Sequence, residues 1–116
     1  MSDTVLVFGD GPTGQAGRIH SSGEIRDQYG FQRGRITVEG TLRDQNGRLI
    51  GNIHNNGQFS NFIGRTAQLV VSPSGEIRIN NEQVGRVQIA WGMKIPNKCI
   101  AFAAAYLLNR PTWVWS

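Results

Sequence analysis

The chain is poor in the residues that staple small proteins or keep them unfolded. A single cysteine, Cys99, among 116 residues excludes an internal disulfide framework and any metal centre built from several thiolates. Proline occurs only four times, which excludes a Pro-rich linker or low-complexity chain. Charged residues make up 17% against 39% hydrophobic, too little charge and too much apolar content for a disordered segment. No apolar run reaches the roughly 18 residues of a membrane-spanning helix. Met1-Ser2-Asp3-Thr4 has no basic stretch of the kind that opens a secretory leader, so the expectation is a cytoplasmic protein. Helical periodicity is missing between residues 4 and 92. At this length the chain is expected to form one domain, 1–116.

Glycine is abundant instead, at 15 residues, about twice the usual share, and it is ordered. Gly23-Glu24-Ile25-Arg26-Asp27-Gln28 recurs as Gly40-Thr41-Leu42-Arg43-Asp44-Gln45, then more weakly as Gly57-Gln58-Phe59 and Gly75-Glu76-Ile77-Arg78, at intervals of 17, 17 and 18. Between these glycines runs a Gly-x-aliphatic motif: Gly17-Arg18-Ile19, Gly34-Arg35-Ile36, Gly51-Asn52-Ile53 and Gly85-Arg86-Val87, with Gly64-Arg65-Thr66 a displaced version. Turn residues punctuate each unit, at Ser21-Ser22-Gly23, Asn46-Gly47, Asn55-Asn56-Gly57 and Ser72-Pro73-Ser74-Gly75. Side chains alternate between the turns. Ile36 pairs with Val38 on one face, against Arg35, Thr37 and Glu39. Ala67, Leu69 and Val71 share a face, as do Ile77 with Ile79, and Val87 with Ile89 and Trp91. Period-two alternation predicts strands buried on one side, and about ten fit in a β-meander over 1–92.

The chain then changes character. Lys98-Cys99-Ile100-Ala101-Phe102-Ala103-Ala104-Ala105-Tyr106-Leu107-Leu108 follows Asn97, a suitable N-cap, and ends at Asn109-Arg110-Pro111, which predicts a helix over 97–109. A helix apolar on all sides must be surrounded. A flat sheet covers one side of it; a barrel covers every side. The expected fold is therefore mainly β plus one helix: an antiparallel meander of about ten short strands curled into a barrel around the C-terminal apolar helix. A β-solenoid or roll capped by the helix, or an open sheet with the helix in a dimer interface, would also bury it. The aromatic tail, 111–116, alternates as Trp113-Val114-Trp115 and reads as a strand pairing with a barrel edge or reaching a neighbouring subunit.

On these residues, in particular Asp44-Gln45-Asn46-Gly47-Arg48-Leu49-Ile50-Gly51-Asn52-Ile53 and the closing segment Cys99 to Leu108, the chain resembles the tubby-like barrel superfamily, which includes tubby proteins, phospholipid scramblases and LURP-one-related plant proteins. The resemblance implies a closed barrel around a hydrophobic helix and a phosphorylated lipid headgroup as ligand. Family barrels usually have twelve strands and are longer, and no phosphoinositide-binding or calcium-binding residue set maps onto this sequence.

Candidate chemistry is sparse, and no catalytic residue, metal site or cofactor is assigned. His20 and His54 occupy equivalent places, in Ile19-His20-Ser21-Ser22-Gly23 and Ile53-His54-Asn55-Asn56-Gly57, at outward strand ends where histidine is ordinary. No ligand cluster of fitting spacing accompanies either. Cys99 reads as a small buried apolar residue. Gly9-Asp10-Gly11-Pro12-Thr13-Gly14 lacks the Lys-Ser/Thr of a phosphate loop but remains the place for a ligand loop, through Gly9, Asp10, Gly11 and Gly14.

Ten of the twelve basic residues are arginine, and the formal net charge is +4. Arg18, Arg35, Arg65 and Arg86 follow glycines at equivalent positions and should point outward. They read either as salt-bridge partners of Glu24, Glu39 and Glu76 or, with His20 and His54, as a basic band that grips phosphates. The leading expectation is a non-enzymatic binding module for an anionic lipid or another protein. The alternatives are a structural protein that homo-oligomerises through Trp113 and Trp115, and a small enzyme with a site at the barrel mouth. Nucleic acid is not expected, because the basic strands lack interleaved exposed aromatics.

Overall fold

In the computed structural model, which describes residues 4–9, 14–88 and 95–115, the repeat unit is one strand pair. The strands are β1 (Thr4–Gly9), β2 (Gln15–His20), β3 (Glu24–Asp27), β4 (Gln32–Ile36), β5 (Thr41–Asp44), β6 (Leu49–Ile53), β7 (Gln58–Asn61), β8 (Thr66–Val71), β9 (Glu76–Ile79) and β10 (Glu82–Gln88). Each pairs antiparallel with its neighbour in sequence, and β1 pairs with β10, which closes the barrel. Closure sets aside both the solenoid and the open sheet. Ile89 and Trp91, expected to continue β10, lie outside the described residues.

The two glycine motifs of the repeat meet in space. An inward aliphatic amide donates to the carbonyl of the leading glycine of its own unit: Ile36 to Gly23, Ile53 to Gly40 and Val87 to Gly75 from the Gly-x-aliphatic motif, and Leu69 to Gly57 where that motif is displaced, all at 2.8–2.9 Å. The leading glycine is obligatory there. Gly23 has φ +95°, and a Cβ on it would sit 2.1 Å from the Ile36 carbonyl oxygen. The in-strand glycines answer a different need. Gly17, Gly34, Gly51 and Gly85 lie buried on even-numbered strands, where a Cβ would come within 2.3–2.6 Å of a carbonyl oxygen on the adjacent strand. Their absence of a side chain lets the sheet coil tightly.

Inside runs α1 (Asn97–Leu108), with Cys99 to Ala105 fully buried. It packs chiefly on β2, β4, β8 and β10, which carry the in-strand glycines or, in β8, the small Ala67. Leu107 Cδ1 lies 2.9 Å from where a Gly17 Cβ would be, and Leu108 Cδ1 2.7 Å from that of Gly85. Inward Val5, Ile19, Ile25, Leu42, Phe59 and Ile77 complete the core. The helix begins at Asn97 with Pro96, not Asn97, in the cap position, and it ends one residue early, at Leu108, because Asn109 in the cap takes a left-handed backbone (φ 54°).

Two expectations are corrected. Val38 does not share the inner face with Ile36. The turn at 37–40 intervenes, closed by Gly40 N–H donating to Thr37 O, and leaves Val38 exposed. The tail is not a strand either: Thr112–Trp115 forms a short helix, α2. Val114 is buried, and Trp115 stacks on Phe59 and Phe102 at 5.9 and 6.0 Å and meets Tyr106 edge-on at 5.6 Å. Three aromatic neighbours reward burial of the indole more than a barrel-edge pairing would.

The barrel has two different ends. At one, α1 begins: Cys99 Sγ faces the Val38 carbonyl at 3.8 Å and Lys98 Nζ donates to Asn55 Oδ1 at 2.7 Å. At the other, Tyr106 donates to the Arg33 carbonyl at 3.0 Å, and α2 is fastened under the β7–β8 turn by Asn61 Nδ2 and Arg65, which donate to the carbonyls of Val114 and Trp113.

Candidate functional site

Alternation along β2 to β5 puts the aliphatic residues inside and arginine outside, and register then sets arginine beside arginine. Arg18 on β2 lies directly opposite Arg26 on β3, and Arg35 on β4 directly opposite Arg43 on β5. Glu24 is registered with Arg35, yet its carboxylate is taken by Arg26 at 2.5 Å. Arg26 also donates to the Gly30 carbonyl at 2.6 Å, and Arg43 to the Gly47 carbonyl at 3.0 Å. Among the described residues Arg18 and Arg35 make no ion pair. Like charges directly opposite on a sheet are destabilising, so this wall holds unneutralised positive potential.

Beside it opens a shallow depression of about 270 Å³ lined by Thr4, Arg18, His20, Glu24 and Arg26. Thr4 and His20 are register partners across β1 and β2. Ser22 steadies the imidazole: its Oγ lies 3.0 Å from His20 Nδ1, and its amide donates to the same nitrogen at 3.1 Å. That nitrogen therefore accepts, which places a neutral ring's proton on Nε2.

Of the residues singled out in the sequence, Arg18, Arg35 and His20 come together on this wall. Arg86 lies on β10, two strands from Arg18, with its guanidinium 5.9 Å from the centre of the Phe8 ring. Arg65 sits across the barrel in the β7–β8 turn. His54 is exposed after β6, away from the depression. Gly9 ends β1 and Gly14 precedes β2 at the opposite barrel end from His20, so they do not join the depression; Asp10 and Gly11 lie outside the described residues. A ring of bridges to Glu24, Glu39 and Glu76 does not form among the described residues, because Glu24 pairs with Arg26 and the other ion pair is Arg110 with Glu82 at 2.7 Å. Arg26 and Arg43, which build the wall with Arg18 and Arg35, were hidden by their place next to acidic residues in sequence. The register of the predicted hairpins was the signal that could have found them.

Groups suited to covalent or metal chemistry are few. Among the described residues no three His, Cys, Asp or Glu side chains cluster as metal ligands. Burial pushes the Cys99 thiol above its ordinary value of 9.0, partly opposed by the Lys98 charge. Burial likewise raises the Tyr106 hydroxyl above 10.0, with Arg33 pulling it down and Asp44 pushing it up. Both groups are neutral at physiological pH. No described helix is long and apolar enough to cross a membrane. No protein-family model, curated protein or solved structure matches the chain.

Proposed function

We propose that the protein is a non-enzymatic binding module that holds a phosphate-bearing anion against the wall formed by β2 to β5. The observation that carries this reading is the double cross-strand arginine pairing, Arg18 with Arg26 and Arg35 with Arg43, in which, among the described residues, only Arg26 has a carboxylate partner. An anion bridging such pairs relieves their repulsion, and the planar guanidinium forks suit phosphate oxygens. The depression at Thr4, Arg18 and His20 supplies a hydroxyl and an imidazole at the border of the same surface. A kinship with tubby-like barrels is part of the proposal, supported by a closed barrel wound around an apolar C-terminal helix, as is a cytoplasmic setting.

Flotation with phosphatidylcholine vesicles, with and without an acidic phospholipid, at low and high salt tests it, with a soluble inositol phosphate as competitor. Binding to the acidic vesicles that weakens with salt, and is reduced both by the competitor and in Arg18→Glu/Arg35→Glu, is expected. Binding indifferent to salt and to that double reversal, or none to either vesicles or the soluble phosphate, removes the reading.

A further inference from the structure

Seven large apolar side chains stand exposed among the described residues, and five of them gather at the barrel end where α1 terminates. Tyr29 (76% exposed) and Phe31 (69%) occupy the β3–β4 turn, Phe62 (57%) and Ile63 (55%) the β7–β8 turn, and Trp113 (44%) lies on α2. In an antiparallel meander these two turns fall at the same end. They lie four strands apart around a ring of ten, so their tips flank the mouth that α2 closes. The other two, Val38 and Val70, lie in the β4–β5 turn at the opposite end and on the β8 outer face.

The same rim is basic. Arg33, Arg48, Arg65 and Arg110 surround it. Arg48 lies 5.2 Å from the centre of the Phe62 ring, and Arg65 holds the Trp113 carbonyl. Among the described residues the acidic groups there are engaged: Asp27 and Asp44 accept the amides of their own turns, and Glu82 pairs with Arg110.

We infer that this rim seats on an anionic lipid bilayer, with the aromatic tips entering the interfacial zone and the arginines meeting headgroup phosphates. Tyrosine and tryptophan favour that zone, and apolar burial combined with basic charge is what holds a peripheral protein to acidic lipid. Bilayer lipids conform to separate apolar points, whereas a rigid protein partner requires a continuous, closely fitted patch depleted of charge. A second copy docked face to face would set arginine rim against arginine rim. The inference shares an acidic partner with the proposed function but rests on different residues, so each fails separately.

The test uses full-length protein and vesicles of phosphatidylcholine with phosphatidylserine, some carrying brominated acyl chains, with Phe31→Ser/Phe62→Ser as the rim variant. Tryptophan emission of the wild type should be quenched by the brominated chains, and Trp113→Phe should remove most of that quenching. Phe31→Ser/Phe62→Ser should lower partitioning by about tenfold or more and make what remains fully salt-labile, while its melting temperature stays near wild type because both rings are exposed. Arg18→Glu/Arg35→Glu, whatever its effect on total binding, should leave quenching per bound molecule unchanged. Salt-labile binding without quenching, indifferent to the rim variant, overturns the inference while leaving the arginine wall standing. Absence of vesicle binding, or a concentration-dependent dimer that the rim variant abolishes in place of quenching, overturns it as well.

Discussion

Asn61 stands where the two preceding repeat units carry Asp27 and Asp44, and the exchange has a physical cause. All three side chains accept two amides of their own turn: Tyr29 and Phe31 for Asp27, Asn46 and Arg48 for Asp44, Ile63 and Arg65 for Asn61. Only Asn61 must also donate, to the Val114 carbonyl of α2. Asn61→Asp keeps the turn but replaces that donor with a buried charge facing a carbonyl. It should cost about 1–3 kcal/mol, read by thermal or urea unfolding, whereas Asp27→Asn should be close to neutral. Cys99 makes a second residue-scale prediction. Its folded thiol is held above 9.0 by burial, so folded and unfolded chains are both protonated at neutral pH and the stability is complete there. Above pH 9 the unfolded chain loses its proton first, and stability falls as pH rises toward the folded value. Melting temperatures measured from neutral pH upward should drop in this alkaline range, and less steeply in Cys99→Ala; an identical drop would assign the loss to Tyr106, which acts in the same direction above 10.0.

At the scale of elements, the strands depend on glycine for their closeness to α1. Gly17→Ala would drive a methyl to 2.4 Å from the Arg26 carbonyl oxygen and 2.9 Å from Leu107 Cδ1. Backbone cannot yield there as a flexible side chain can, so the expected loss is about 3 kcal/mol, the upper part of the range for overpacking. Gly14→Ala, with nothing within 4 Å of its added carbon, should be nearly silent in the same denaturant titration. These elements were legible in sequence because turn chemistry and alternation are local. Gly23, Gly40, Gly57 and Gly75 announce their turns, and the unbroken apolar run from Cys99 announces a surrounded helix. Trp113-Val114-Trp115 misled because a four-residue helix and a short strand both put its middle side chain on a different side from its neighbours, and only the distant Phe59 and Phe102 decide between them. The arginine wall was half visible. Outward direction follows from alternation, but the opposition of Arg18 to Arg26 comes from register across β2 and β3, which alternation along a single strand does not state.

At the scale of the whole molecule, wall and helix are one core. Val5, Ile19, Ile25, Phe59 and Ile77 lie at zero exposure only because α1 fills the lumen. A chain truncated after residue 96 should therefore lose cooperative melting and bind hydrophobic dyes, even though every sequential hairpin is still encoded. A sharp melt of the truncated chain would mean the strands hold themselves closed. Arginine wall and aromatic rim adjoin at the β3–β4 turn, where Arg26 donates to the Gly30 carbonyl between Tyr29 and Phe31. A Phe31 variant should thus couple to wall variants, whereas a Phe62 variant, four strands away, should combine with them additively.

The girth of a closed barrel grows with the number of staves around it, and here the staves come two at a time with each seventeen-residue unit. Inserting a further unit would leave slack around Ala103, Ala104 and Ala105; deleting one would squeeze the rod out. Strand count and rod gauge are thus one coupled dimension. A chain with one unit more or fewer should keep a cooperative melt only when bulkier or slimmer residues replace that alanine stretch to match.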